Sequence, residues 1–277
     1  MKSSYKPEDV TILLKDITAQ VKPMENVERE RYIQSGVHYC EMLPKEHLPS
    51  TAYIRTFYQV LERYALPTAH AVAVVGEKIY ADKGDDTVLV SLARAGTPVG
   101  ILIKRYLEKK YQISIPHYTI SIIRGRGIDQ NAMAYLILHH AKETIQFVDG
   151  WTGKGAIQHQ LREAMRDYPG VDDTVAVLSD PAFVAGKCGT HCDFLIPSSC
   201  LNATVSGLLS RTFLRSDIIS PEDFHGACYY QEFEKEDLTN FFLDRVEREL
   251  RCNFIFEEPE YSPDEMPLDE VHQIAED

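Results

Sequence analysis

Apolar positions change rhythm along the chain, and each rhythm predicts an element. The first fifty residues are polar, with short apolar pieces such as VTILLKDI (10–17), and read as irregular apart from a helix over 27–34. In YIRTFYQVLERYA (53–65) aromatic and aliphatic residues recur every three or four positions, the helical period. After Pro67, AHAVAVVGEKIYA (69–81) repeats that period and reads as a second helix. Short apolar, β-branched runs follow at 87–93, 117–123, 144–149, 174–180 and 192–198, predicted as strands. Helical patterns lie between and after them at 98–111, 129–141, 154–168 and 202–213. Pro98 suits a first helical turn, and Asp129 is a natural N-cap. A strand at 224–233 and an amphipathic helix at 236–250 close the pattern.

Near-continuous apolar strands alternating with helices predict an α/β fold, a doubly wound, mostly parallel sheet covered on both faces. The expected division is a helical N-terminal cap region over 1–84, an α/β core over 85–213, a C-terminal cap strand and helix over 214–256, and an acidic, mobile tail over 257–277.

Charge sharpens this division. The 277 residues carry a net charge of −13, and nine acids with no Lys or Arg fall between Glu257 and Asp277, which leaves −4 on the rest. A mildly acidic body is a poor non-specific binder of nucleic acid. No apolar run approaches the ~20 residues of a bilayer span. The start, MKSSYKPEDV, lacks the apolar stretch of a secretory signal, so a cytoplasmic location with its six cysteines reduced is expected.

Ligands of open α/β sheets bind beyond the carboxyl ends of the strands. Three predicted loops there carry candidate chemistry. SLARAGTPVG (91–100) places Arg94 before a flexible Gly96, a Thr97 able to cap the next helix, and amides able to meet an anion. VDGWTGKGAI (148–157) gathers three glycines, Thr152 and Lys154 before a helix, a phosphate cradle that lacks the spacing of a Walker A loop. Asp149 ends the preceding strand, where it can accept from sugar hydroxyls or hold Mg²⁺ through water. IIRGRGIDQNA (122–132) separates Arg124 and Arg126 by a glycine, as a loop closing over a polyanion would. Each has a plainer reading as a strand–helix turn or a solvated loop.

In this order the loops resemble those of type I phosphoribosyltransferases. More closely, SYKPEDVTILLKDI, SGVHYCEML, VSLARAGTPVGILIKR and FVDGWTGKGAI resemble the phosphoribosyltransferase-like family of bacterial tellurium-resistance and stress operons, also labelled the cysteine protease StiP family. The resemblance implies a core of phosphoribosyltransferase type and transfer of 5-phosphoribosyl from phosphoribosyl pyrophosphate to a nitrogenous base, with Mg²⁺ as cofactor. It implies a binding site made by Ala93, Arg94, Ala95, Gly96 and Thr97, with Asp149, Gly150, Trp151, Thr152, Gly153, Lys154 and Gly155, and catalysis by Arg94, Asp149, Arg124 and Arg126. The partners implied are a small ribose phosphate and a base, with no membrane or nucleic acid; a homodimer is allowed. The sequence departs from the transferase pattern at Gly150, where a second acid normally follows Asp149.

Two alternatives stand beside this reading. AGKCGTHCDFLIPSSC (185–200) holds Cys188, His191, Cys192, Asp193 and Cys200, the residue types of a cysteine hydrolase, with Cys188 in a glycine-rich loop as the best nucleophile. The same cluster has an irregular spacing for zinc or redox chemistry. The missing second acid also allows a regulatory protein that binds a ribose phosphate without turning it over. His139-His140, His38-Tyr39-Cys40 and Tyr229-Tyr230 read most simply as capping, cap-region and packing residues.

Overall fold

A computed structural model describes residues 1–251; the expected acidic tail, and the end of the expected C-terminal cap, lie outside the described residues. The elements in chain order are β1 (Thr11–Ile12), β2 (Lys15–Asp16), α1 (Asn26–Gln34), α2 (Thr51–Lys83), β3 (Val88–Leu92), α3 (Gly96–Tyr111), β4 (His117–Ile120), β5 (Ile122–Ile123), β6 (Gly127–Ile128), α4 (Gln130–His139), β7 (Ile145–Val148), α5 (Ala156–Met165), β8 (Val175–Ser179), β9 (Lys187–Thr190), β10 (Gly226–Ala227) and α6 (Thr239–Glu247).

Six strands form one sheet in the order β1-β4-β3-β7-β8-β9, and every pairing in it is parallel. β3, β7 and β8 are buried along their whole length, which explains why their sequences read as continuous apolar runs. Helices α2, α3 and α6 pack on one face around Phe57, Val72, Leu102 and Phe242. The other face is covered through Met133, Leu136, Leu161 and Met165 of α4 and α5. The fold is thus mixed α/β with a parallel central sheet.

Several local expectations change. The two helices expected around Pro67 are one helix of 33 residues. A proline inside a helix removes one backbone donor, but α2 buries an apolar stripe from Phe57 to Ile79 against the sheet, and tertiary packing outweighs that local cost. The segment 10–17 contributes β1 to the sheet edge, at Thr11↔Tyr118 and Ile12↔Thr119. No strand forms over 192–198; the strand in this region is β9, five residues earlier. The helix expected over 202–213 reduces to a single 3₁₀ turn at Ala203–Val205. Gly207 and Leu208 there have φ of 75° and 57°, outside helical geometry, and a Cβ on Gly207 would lie 2.3 Å from the Tyr5 ring. Of the strand expected over 224–233, only β10 forms, paired in parallel with β2.

Candidate active site

Strands β8 and β9 bring three residues together: Asp180 and His191, which directly follow them, and Cys188 within β9. Cys188 lies on β9, paired with Val177 of β8. Its side chain joins the apolar cluster on the α4–α5 face, and the residue is 6% exposed. Gly189, next in the strand, faces the opposite way against α2, where an added Cβ would lie 2.5 Å from the Ala71 carbonyl oxygen. Only glycine allows the strand to approach the helix so closely, and this contact fixes the height of Cys188.

His191 follows β9 directly. Its Nδ1 lies 2.7 Å from the Asp180 carbonyl oxygen, which can only accept, so Nδ1 carries the proton. In the neutral ring Nε2 is then the accepting nitrogen, 3.4 Å from Cys188 Sγ. Phe183 stacks on the imidazole, with centroids 3.8 Å apart and planes within 16°. The Asp180 carboxylate lies farther off, 4.0 Å from Nδ1, and accepts the amides of Val184 (3.1 Å) and Ala185 (2.9 Å). It therefore shapes the turn over the site rather than touching the ring. Ser179 Oγ donates to the Cys192 carbonyl, and Thr190 Oγ1 accepts the Cys192 amide, which holds the far side of His191. A thiol, an imidazole base and a fixed acceptor behind it are the parts of a nucleophilic thiol site. Ligand atoms of Asp180, Cys188 and His191 also lie within 4.8 Å of one another, close enough to hold a metal ion, although both Asp180 oxygens already accept amides.

The loops expected to bind phosphoribosyl pyrophosphate are arranged differently. Arg94 Nη1 donates to Glu46 Oε1 at 2.6 Å and to the Leu209 carbonyl at 2.9 Å. Ala93 donates its amide to Ile120, and the Thr97 hydroxyl is buried against that of Thr119. At Gly96 a Cβ would lie 2.3 Å from the Val148 carbonyl oxygen, so the loop sits on β7. A cavity of about 360 Å³ includes Arg94, Ala95, Asp149, Gly150 and Trp151 in its wall, but none of residues 152–155. The Thr152 amide is taken by the Ser179 carbonyl, Gly155 packs on Val184, and Lys154 is exposed. Trp151 folds over Gly153 and donates its indole N–H to Asp193 Oδ1 at 3.1 Å. The cradle expected between Trp151 and Gly155 is thus not assembled opposite Arg94.

Asp149 Oδ1 accepts the Gly150 amide, and burial pushes its carboxyl up to about 6. Among the described residues Asp149 is the one acid lining that cavity, so it alone would face the Mg²⁺ expected there. The expected lid of Arg124 and Arg126 is a β5–β6 hairpin, pinned by the Arg124 amide on Tyr39 Oη, the Gly125 amide on Gln160 and the Arg126–Glu41 ion pair.

A second thiol–imidazole contact joins His38 Nδ1 and Cys40 Sγ at 3.0 Å. Here the same Nδ1 accepts the Cys40 amide at 3.4 Å, Cys40 Sγ also faces the Leu214 carbonyl, and burial raises the thiol pKa. No disulfide joins the five described cysteines.

Sequence reasoning missed Asp180 as a partner of His191. Its signal was its place at the end of a buried strand, in parallel register with the strand bearing Cys188.

The sequence model of the family described as "Tellurite-like stress resistance cysteine protease StiP" matches residues 3–247, and the chain belongs to that family. The chain is similar to "Cysteine protease StiP" of Acinetobacter baylyi (strain ATCC 33305 / BD413 / ADP1), 34% identical over 255 residues, covering 88% of this chain and 66% of that protein. It thus spans just under two thirds of that relative's length. Among solved structures, Helicobacter pylori Xanthine-Guanine-Hypoxanthine Phosphoribosyltransferase aligns at 16% identity over 48% of this chain and 76% of that one, with a TM-score of 0.29, a likeness too loose to support an argument. The family and the relative name a cysteine protease. They overturn the expected phosphoribosyltransferase activity, and with it the transferase and phosphoribosyl-pyrophosphate assignments, and they favour the thiol alternative.

Proposed function

We propose that this member of the StiP family is a cysteine hydrolase acting on peptide bonds, with Cys188 as nucleophile and His191 as general base. The observation that carries the reading is the 2.7 Å contact from His191 Nδ1 to the Asp180 carbonyl oxygen, which in the neutral ring turns the accepting nitrogen, Nε2, towards Cys188 Sγ. His191 Nε2 takes the thiol proton as Sγ attacks the scissile carbonyl carbon. The imidazolium then returns the proton to the departing amine, and water, deprotonated by the same nitrogen, releases the acid from the thioester. Phe183 holds the ring plane and shields it from water. Because Cys188 is nearly covered, a substrate carbonyl reaches the thiol only when the 181–186 turn shifts, and the Asp180 carboxylate sets the resistance to that shift.

The Cys40–His38 contact supports a second reading, because it is the shorter of the two. Among the described residues, however, its imidazole has no acceptor behind it comparable to the Asp180 carbonyl. The test is hydrolysis of a quenched fluorescent protein substrate, together with mass mapping of the thiol trapped by a peptidyl chloromethyl ketone. Cys188→Ala and His191→Ala should each lower turnover at least about 10³-fold, with the label on Cys188, while Cys40→Ala retains activity. Label on Cys40 and an active Cys188→Ala variant would overturn the assignment in favour of the second pair.

A further inference from the structure

The proposed reaction uses the backbone oxygen of Asp180 and leaves the burial of its carboxylate unexplained. That side chain is 0% exposed, and its one ion-pair partner among the described residues is the His191 ring, 4.0 Å away. Two amides, of Val184 and Ala185, donate to it. While the ring is neutral the carboxylate faces no cation, and buried charges are paired or coordinate metals. A carboxylate offers about four lone pairs, so two amides leave about two for a further ligand. Ligand atoms of Asp180, Cys188 and His191 lie within 4.8 Å of one another, the one such group of three among the described residues. Cys188 Sγ and His191 Nε2 are 3.4 Å apart. Two ligands of a tetrahedral zinc ion, at ~2.3 Å for sulfur and ~2.0 Å for nitrogen, stand ~3.6 Å apart. The 2.7 Å contact of Nδ1 with the Asp180 carbonyl is also how a metal-binding imidazole is oriented, one nitrogen on an acceptor and the other turned to the ion. Phe183 stacks on the ring and Gly189 seats β9 against α2, so both donors are held in place before an ion arrives. The His38–Cys40 contact is shorter, at 3.0 Å, but belongs to no such group of three among the described residues.

We propose that Asp180, Cys188 and His191 form a site for a thiophilic divalent cation of the zinc class, and that the bound ion holds the hydrolase off. The effect on activity rests on the cysteine-hydrolase reading; the site itself does not. Thiolate and imidazole select zinc over Mg²⁺ or Ca²⁺, which take oxygen ligands. On binding, the Cys188 S–H bond breaks, its proton leaves to solvent, and Sγ bonds the ion. The neutral imidazole supplies Nε2, Asp180 supplies one carboxylate oxygen, and water fills the fourth position. Neither the nucleophile nor its base is then available, and removal of the ion restores both.

The test adds Co²⁺ and then Zn²⁺ to reduced, chelator-treated full-chain protein. Co²⁺ should give the visible bands of a four-coordinate ion and a near-ultraviolet thiolate band, saturating at about one equivalent and lost when Zn²⁺ displaces it. Cys188→Ala should abolish the thiolate band. Cys188→Ala, His191→Ala and Asp180→Asn should each weaken Zn²⁺ at least about tenfold, read by competition with a chromophoric chelator. Cys40→Ala should leave both readouts unchanged. Far-ultraviolet circular dichroism checks the fold of each metal-free variant, and Cys188→Ser, which keeps the size of the side chain, repeats the test if Cys188→Ala does not fold. Hydrolysis of the quenched protein substrate should fall in step with Zn²⁺ occupancy and return with EDTA. No thiolate band in the wild type, or a band that survives Cys188→Ala and vanishes in Cys40→Ala, overturns the site and leaves the hydrolase standing on its own test. Hydrolysis unchanged or raised at full Zn²⁺ occupancy overturns the inhibition. Zn²⁺ bound at Cys188 in protein whose metal-free form cleaves nothing supports the site and sinks the hydrolase.

Discussion

Asp149 shows what a single carboxyl does at the edge of a buried sheet. Its ordinary value of 3.8 is raised to about 6 by burial, against the opposing hydrogen bond from the Gly150 amide. Between these values the folded chain holds a proton that the unfolded chain has released, so stability falls as pH rises through that window. Above it the folded state bears a cost of at most about 3 kcal/mol. Asp149→Asn should therefore raise the urea midpoint at pH 7.5 and give little gain at pH 4; an equal gain at both would show that the carboxyl is not the source. At this scale the sequence was partly legible. Cys188 and His191 stood out as residue types close together, whereas the oxygen that orients the imidazole belongs to a backbone, and residue letters carry no record of where a carbonyl points. Thr152 and Lys154 misled for the converse reason: an amide able to meet an anion is silent once a neighbouring strand has accepted it, as Ser179 does for Thr152.

Elements explain why the thiol sits where it does. Gly189 lets β9 lie against α2, and an added methyl would meet the Ala71 backbone at 2.5 Å. Gly189→Ala should cost about 1–3 kcal/mol in chemical denaturation, the usual penalty of overpacking, and should also slow alkylation-sensitive turnover by displacing Cys188; retention of both would show that helix and strand separate freely. On the opposite side of the sheet, His117 of β4 ties the chain before β1 to β3. Its Nδ1 donates to the Asp9 carbonyl, and Nε2 meets the Ser91 hydroxyl, each at 2.8 Å. Burial pushes its pKa down to about 4 from 6.5. The neutral ring is the native form, so this contribution is complete above about pH 6.5 and is lost as pH falls towards 4, with a span of about 3 kcal/mol. Relative to the wild type, His117→Gln should flatten the loss of stability between pH 6.5 and 4.5, as read from urea midpoints. The alternation of strands and helices from 87 to 180 was readable because each element there buries a regular face. The region 192–233 was not, because its apolar residues serve turns and isolated bridges, such as Leu209↔Tyr229, whose spacing has no period.

Across the whole molecule, distant segments are joined through charged anchors as well as through a small apolar cluster of Ile17, Leu43, Phe213 and Cys228. Arg105 of α3 grips Asp9 through two nitrogens, at 2.9 and 2.6 Å, and reaches Asp244 and Glu247 of α6. Arg105 and Asp9 are nearly covered, with side-chain exposures of 11% and 5%. Arg105→Met leaves Asp9 buried without its partner and should cost about 3–5 kcal/mol, seen as a fall in the melting temperature; Asp9→Asn with Arg105→Met should recover part of it. A covered pair between residues 9 and 105 is invisible to any local pattern, which explains why the ends of the chain read as separate caps. A last consequence follows from the carbonyl behind His191. Side-chain replacement at position 180 deletes a carboxylate but leaves that oxygen in the chain, so an alanine survey of the site would register two participants and score the third as a mere turn former. Descendants of this scaffold are then free to exchange the aspartate for any residue that keeps the corner after β8, with the imidazole still aimed at its sulfur.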